Sequence, residues 1–167
     1  MDVRYFVEGQ CEERLFNELK RHGLILPGKV TVFNVLQSKI ASRVTTFKSG
    51  SIIVFVFDTD KGFNDVLLNN IKIVLAHVSS SKVICLPQVE NLEDELVKAC
   101  SKIASVREIT RSKSTKDFKS DFISCNNLYE RLVDCRFDLS RIWISELPSA
   151  FRTIKQFVLP KNIKILR

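Results

Sequence analysis

One run, Ser-Ile-Ile-Val-Phe-Val-Phe ending at Phe57, limits what this 167-residue chain can become more than any other. It is far too short to span a bilayer, and it has no polar alternation that would let one side of a strand face water. Residues 52–57 are therefore expected to form a strand buried on both faces, as the central strands of a parallel sheet are. Asp58 follows directly, and Asp60 comes one residue later, after Thr59. A carboxylate just past a buried strand is held by a rigid scaffold yet faces solvent. It can bind a cation without the desolvation cost of a charge in the core. Glu8 stands in the same relation to a second short apolar segment, Val-Arg-Tyr-Phe-Val at 3–7.

The surrounding pattern supplies the helices. Leu15, Phe16 and Leu19 recur at helical spacing between Glu12 and His22, and Gly23 suits the stop. A further strand is expected over 30–36 and a short helix over 39–48. Val66, Leu67, Ile71, Val74, Leu75 and Val78 describe an amphipathic helix over 64–78. A fourth strand is expected over 82–86, stopped by Pro87, and then a helix opened by Asn91 as N-cap with Asp94 and Glu95 in its first turn. Strands alternating with helices over short connections predict the α/β class: a Rossmann-like, mostly parallel central sheet flanked by helices. Residues 1–100 would form this domain. Residues 101–167 would form a basic, mainly helical extension packed on the same domain. In it Thr115 is a candidate N-cap, Phe118, Phe122, Leu128 and Leu132 carry one or two helices to about Asp134, and Trp143 is a core residue. A terminal strand is expected over 163–166.

Charge divides along the same boundary. The net charge is +7, yet residues 1–100 hold 12 basic and 12 acidic side chains, so residues 101–167 supply the whole excess. Such asymmetry points to a polyanionic partner met mainly by the C-terminal third, although a basic solvated surface would give the same count. Hydrophobic content of 45% and charged content of 27% are ordinary for a soluble globular chain, and no apolar run approaches the ~20 residues of a membrane span. An acidic start at Asp2 and Glu8 is unlike a secretory signal, and a cytoplasmic location without membrane contact is expected. Five cysteines, odd in number and without a C-x-x-C pair, together with only two histidines, argue against a zinc site or a disulfide framework.

In a parallel sheet the carboxyl ends of neighbouring strands share one edge, and ligands bind there where the strand order reverses. On this reading Glu8, Asp58 and Asp60 converge. Carboxylate oxygens with water in the remaining positions match Mg²⁺ or Mn²⁺ rather than a softer metal. Beside a basic surface, such a site suits phosphodiester chemistry, with one carboxylate as general acid or base. Two readings compete with it. Strand-end aspartates are also common as local caps, and Asp58 could accept a phosphoryl group as a receiver-type domain does.

The segment Val7-Glu8-Gly9-Gln10-Cys11-Glu12 resembles the first motif of TOPRIM domains. The likeness is to the E-G-x-[ST]-E form found in nucleases related to the overcoming-lysogenization-defect family and in abortive-infection proteins. Val56-Phe57-Asp58-Thr59-Asp60 resembles their second motif, a hydrophobic strand followed by D-x-D, at a similar separation of about fifty residues. The resemblance covers roughly residues 1–95 and implies the TOPRIM fold. It also implies Glu8 as acid/base or metal ligand, Asp58 and Asp60 as Mg²⁺ ligands, Glu12 as the second glutamate of the motif, and Glu93 as a further ligand in an N-x-E element, with Glu90 competing for that place. Cys11 departs from the motif's Ser/Thr. No ATPase or breakage-reunion domain accompanies these motifs, and neither Tyr5 nor Tyr129 lies in a strand-transfer motif. The implied activity is a divalent-metal-dependent nuclease acting on DNA or RNA in prokaryotic or phage defence. The alternative is a non-catalytic nucleic-acid-binding or regulatory subunit. A homo-oligomer or a partner ATPase or defence protein is left open. Arg111, Lys113, Lys116 and Lys119, interleaved with Ser and Thr, are the candidate phosphate contacts.

Overall fold

A computed structural model describes residues 2–158. The apolar run forms β3 (Ile52–Asp58), buried over its five central residues. Around it lie β1 (Val3–Val7), α1 (Gln10–Arg21), β2 (Lys29–Val32), α2 (Asp65–His77), β4 (Lys82–Gln88) and α3 (Leu92–Ala99). Three further helices follow: α4 (Arg107–Thr110), α5 (Thr115–Ser124) and α6 (Leu128–Asp134). The four strands make one sheet in the order β2-β1-β3-β4, every pair parallel. The chain is thus α/β with a parallel sheet between helical layers, a Rossmann-like arrangement. From β1 it crosses to one side to make β2, then passes back over β1 to β3 and on to β4. The reversal lies between β1 and β3, and a crevice opens at their carboxyl ends.

Alternation along the strands divides the core. Val3, Tyr5, Val7, Val54, Val56, Ile84 and Leu86 face α1 and the helices after β4. Phe6, Ile53, Phe55, Phe57, Val83 and Cys85 face α2. The first cluster also holds Phe118, Phe122, Leu128, Leu132 and Trp143, so residues 101–158 share a core with the sheet. Trp143 is 7% exposed, with its ring 5.3 Å from that of Phe16. A 3₁₀ helix, Ser149–Phe157, closes the other face through Phe151, whose ring stacks on Phe57 at 5.8 Å. Arg14 pairs with buried Glu18 and donates to the Cys125 carbonyl at 2.6 Å, which fastens α1 to the segment before α6.

Several local expectations need correction. The segment 39–48 forms no α-helix but two 3₁₀ turns, Ile40–Ser42 and Val44–Thr46. They are held from outside: buried Asn70 of α2 accepts from the Ile40 N–H at 2.9 Å and donates to the Val35 and Ser38 carbonyls. The second strand is shorter than 30–36, since Asn34 turns the chain by accepting from the Leu36 N–H. The fourth strand does not stop at Pro87 but runs to Gln88. β4 is an edge strand, where an absent N–H removes no bond to a neighbouring strand, and Pro87 still stands in register with Phe57. Ser114, not Thr115, caps α5, accepting from the Asp117 N–H at 3.2 Å. The strand expected over 163–166 lies outside the described residues. Among the described residues no helix is long and apolar enough to cross a membrane.

Candidate active site

Glu8 is the first residue past β1 and Asp58 the last of β3, so the two flank the crevice where strand order reverses. The glutamate is tied down twice: its Oε1 accepts from Asn34 Nδ2 at 2.8 Å, and its Oε2 accepts from the Asp58 N–H at 3.1 Å. Both partners come from carboxyl ends of neighbouring strands, which is why a flexible side chain is held there in one orientation. Lys61 Nζ lies 3.8 Å from Glu8 Oε1.

A cleft of about 690 Å³ opens from this edge. The helix α1 begins beside it at Gly9, whose extended backbone leaves the first turn without a side-chain cap. A methyl group on Gly9 would stand 3.1 Å from Glu12 Oε2, so the glycine leaves room for that carboxylate to lie across the helix start. Glu12 is 6% exposed. Asn91 caps α3 by accepting from the Asp94 N–H at 3.0 Å, which points Glu93 into the cleft. On the far wall, α5 contributes Thr115 and Lys119.

The structure thus brings Glu8, Glu12, Asp58, Asp60 and Glu93 to one cleft. Glu90 is not among its lining residues and has a left-handed backbone at φ 70°. Lys119, expected with the basic segment, is instead at the acidic cleft, its Nζ 3.2 Å from Glu93 Oε1. Arg111, Lys113 and Lys116 remain exposed outside it, in the turn between α4 and α5 and the first turn of α5. Asn34 and Lys61 carry no expectation from the sequence, and Thr115 only that of a helix cap. Asn34 follows a strand end as the acids do, and the same edge rule would have found it. Lys61 and Thr115 carry no comparable signal.

Electrostatics mark the cleft as unusual. Burial, and then the charges of Glu12, Glu8, Asp60 and Glu93, push Asp58 up to about 8. Its Oδ1 is buried and has no hydrogen-bond partner among the described residues. Glu12 is raised too, chiefly by burial and then by Glu93 and Glu8, while Glu93 above all raises Lys119. These carboxylates, among which burial and neighbouring acids raise Asp58 and Glu12, are a donor set short of positive charge. They fit a hard divalent cation. Among the described residues no three acidic, histidine or cysteine side chains stand close enough to grip an ion as they are. Mg²⁺ does not require such a group, since it is commonly held by one or two carboxylates and keeps several waters.

Cys11 lies at the cleft's inner margin, its Sγ 3.9 Å from the Lys119 carbonyl, and burial followed by Glu12 and Glu93 pushes its thiol up to about 11. It packs in the core, where a raised thiol is a poor nucleophile. A larger hollow of about 910 Å³ lies over 143–158; Glu146 is the one acid among its described lining residues. No family model matches this chain, nor does any curated protein or solved structure.

Proposed function

We propose that the chain is a TOPRIM-like, Mg²⁺- or Mn²⁺-dependent nuclease hydrolysing phosphodiester bonds in DNA or RNA. One observation carries the reading. Five carboxylates line a cleft at the reversal of strand order, and among them is Asp58, pushed up to about 8 with a buried oxygen that has no partner among the described residues. Those residues suit the TOPRIM-type motifs in which they lie.

One or two of Asp58, Asp60, Glu12 and Glu93 would hold the cation directly and the others through its waters, and when bound it would polarise the phosphoryl group and neutralise its charge. Glu8, fixed by Asn34 and the Asp58 N–H, has an orientation suited to accepting a proton from the attacking water. In that hydrolysis the water oxygen forms a bond to phosphorus, the ester P–O bond breaks, and the departing oxygen takes up a proton. Lys61 at Glu8 and Lys119 at Glu93 offer positive charge on opposite sides of the cleft for the phosphate oxygens. Arg111, Lys113 and Lys116 extend that charge along the adjoining surface. The resemblance of the motifs extends the proposal to prokaryotic or phage defence in the cytoplasm, as a homo-oligomer or with a partner ATPase or defence protein.

The test is a cleavage assay on single- and double-stranded DNA and RNA with Mg²⁺ and with Mn²⁺, with Asp60→Ala as control. Cleavage by the wild type alone supports the reading; equal inertness of both proteins removes it. A second reading, a non-catalytic nucleic-acid-binding or regulatory subunit, is favoured by Lys119, which already places a counter-charge among the acids. Binding without cleavage, unaffected by Asp60→Ala, is the result it requires.

A further inference from the structure

Gln88, the last residue of β4, is fully buried, yet among the described residues neither its Nε2 nor its Oε1 has a hydrogen-bond partner. An amide with both ends idle in the core is costly, and an apolar side chain of the same length would cost nothing of the kind. Its place in the sheet says what it is for. Gln88 stands in register with Asp58, and alternation along both strands sends the two side chains to the same face, that of Val56 and Leu86. Asp58 Oδ1 is the other buried oxygen without a partner at this edge. The backbone between them is locked: the Thr59 N–H donates to the Gln88 carbonyl at 3.0 Å, and Thr59 Oγ1 accepts from the Glu90 N–H at 3.1 Å. The backbone of Gln88 is therefore held in place at this edge.

Resting on the metal-dependent reading above, we propose that Gln88 is a positioning residue of the cation site, its amide orienting the Asp58 carboxylate and a water held by the ion. An amide suits this place because it donates through Nε2 to a carboxylate oxygen and accepts through Oε1 from water, and a cation makes both partners more polar. Without a cation the amide has nothing to hold.

Thermal denaturation with and without Mn²⁺ alone tests this on the full chain, alongside Gln88→Met and Gln88→Glu. Gln88→Met keeps the length and removes both polar ends. It is expected to melt higher than wild type without metal and to bind Mn²⁺ about tenfold more weakly, about 1.4 kcal/mol. Gln88→Glu adds an acid to the cluster, so it is expected to melt lower without metal and to gain a larger Mn²⁺-induced rise than wild type. Opposite changes in the Mn²⁺ response distinguish a cation-site role from a merely structural one, which would move the metal-free melting temperatures alone. A Mn²⁺ response equal to wild type in both variants overturns the role of Gln88 and leaves the metal site standing. A wild type that shows no Mn²⁺ response overturns both.

Discussion

The N–H of Asp58 donates to Glu8 Oε2 at 3.1 Å, and this bond joins the ends of β1 and β3 just beyond the paired residues Phe6 and Phe55. A side-chain oxygen takes over where the strand ladder ends, so the first acidic motif positions the second. Asn34 Nδ2 occupies the other oxygen at 2.8 Å. Both oxygens of Glu8 thus accept from fixed donors.

Glu8→Gln sets an amide NH₂ against one of those donors. The loss of one bond and the opposed N–H groups should lower stability by about 1–3 kcal/mol in urea denaturation. If Glu8 takes the proton from the attacking water, cleavage should fall by about a hundredfold or more. Full activity in a destabilised Glu8→Gln would assign the residue to architecture alone.

Asp58 gives the stability a pH dependence of known sign. Its folded value, about 8, lies above the ordinary carboxylate value of 3.8, so between them the native state binds the proton that the unfolded chain releases. The contribution is fully present below about 4 and is lost as pH rises through about 8. The metal-free melting temperature should therefore fall from pH 5 to 8, with Glu12, also raised, acting in the same direction. Asp58→Asn should flatten the slope, and so should saturating Mg²⁺, which favours the ionised carboxylate. A wild-type slope unchanged by Asp58→Asn would show that the proton sits elsewhere.

How much of this was legible depended on whether the governing contact was local. The run 52–57 declared a two-sided strand because nothing in it could face water, and Asn91 declared its cap within three residues. Glu8 and Asp58 are far apart in sequence, yet a single rule about strand ends brought them together. The turns over 39–48 depend instead on Asn70, thirty residues from Ile40 along the chain, and no periodicity carries that signal. The position of Lys119 at the cleft is hidden for the same reason. The basic residues shortly before it, Lys113 and Lys116, are exposed, but its ion partner is Glu93 on another helix. Gln88 was silent because Pro87 looked like the end of the strand.

Lys119→Met should sharpen the cation site while weakening contact with a polyanion. The Lys119 side chain is 68% exposed, so its attraction to Glu93 is screened and worth at most about 1 kcal/mol. Removing it frees Glu93, and Mn²⁺ affinity measured by calorimetry should rise by up to about fivefold. Weaker Mn²⁺ binding in Lys119→Met would mean that the lysine organises the acids and does not compete for them.

Phe118 fixes that lysine's helix. It is fully buried, its ring 5.1 Å from Phe122, in the cluster that α5 shares with α1. Phe118→Ala should cost about 3–5 kcal/mol in chemical denaturation. Because α5 forms the far wall of the cleft, protease sensitivity should appear first over 111–124; cleavage elsewhere at lower protease concentration would place the weakest packing outside α5.

Arg111, Lys113 and Lys116 make the claim about the partner measurable without cleavage. Their charges are exposed and none of them lines the cleft, so replacing all three with Gln leaves the acids intact. If each contacts a phosphate, the slope of log binding constant against log salt should shrink by about 2.7 on duplex DNA and about 2.1 on a single strand. Weakening should be similar across sequences, since phosphate contacts position a nucleic acid without reading its bases. An unchanged slope would move the phosphate contacts to the remaining basic residues of the C-terminal third. Separate slopes on duplex and single-stranded substrates also show which form the surface follows, because strand charge density sets the loss per contact while the protein charges removed are the same.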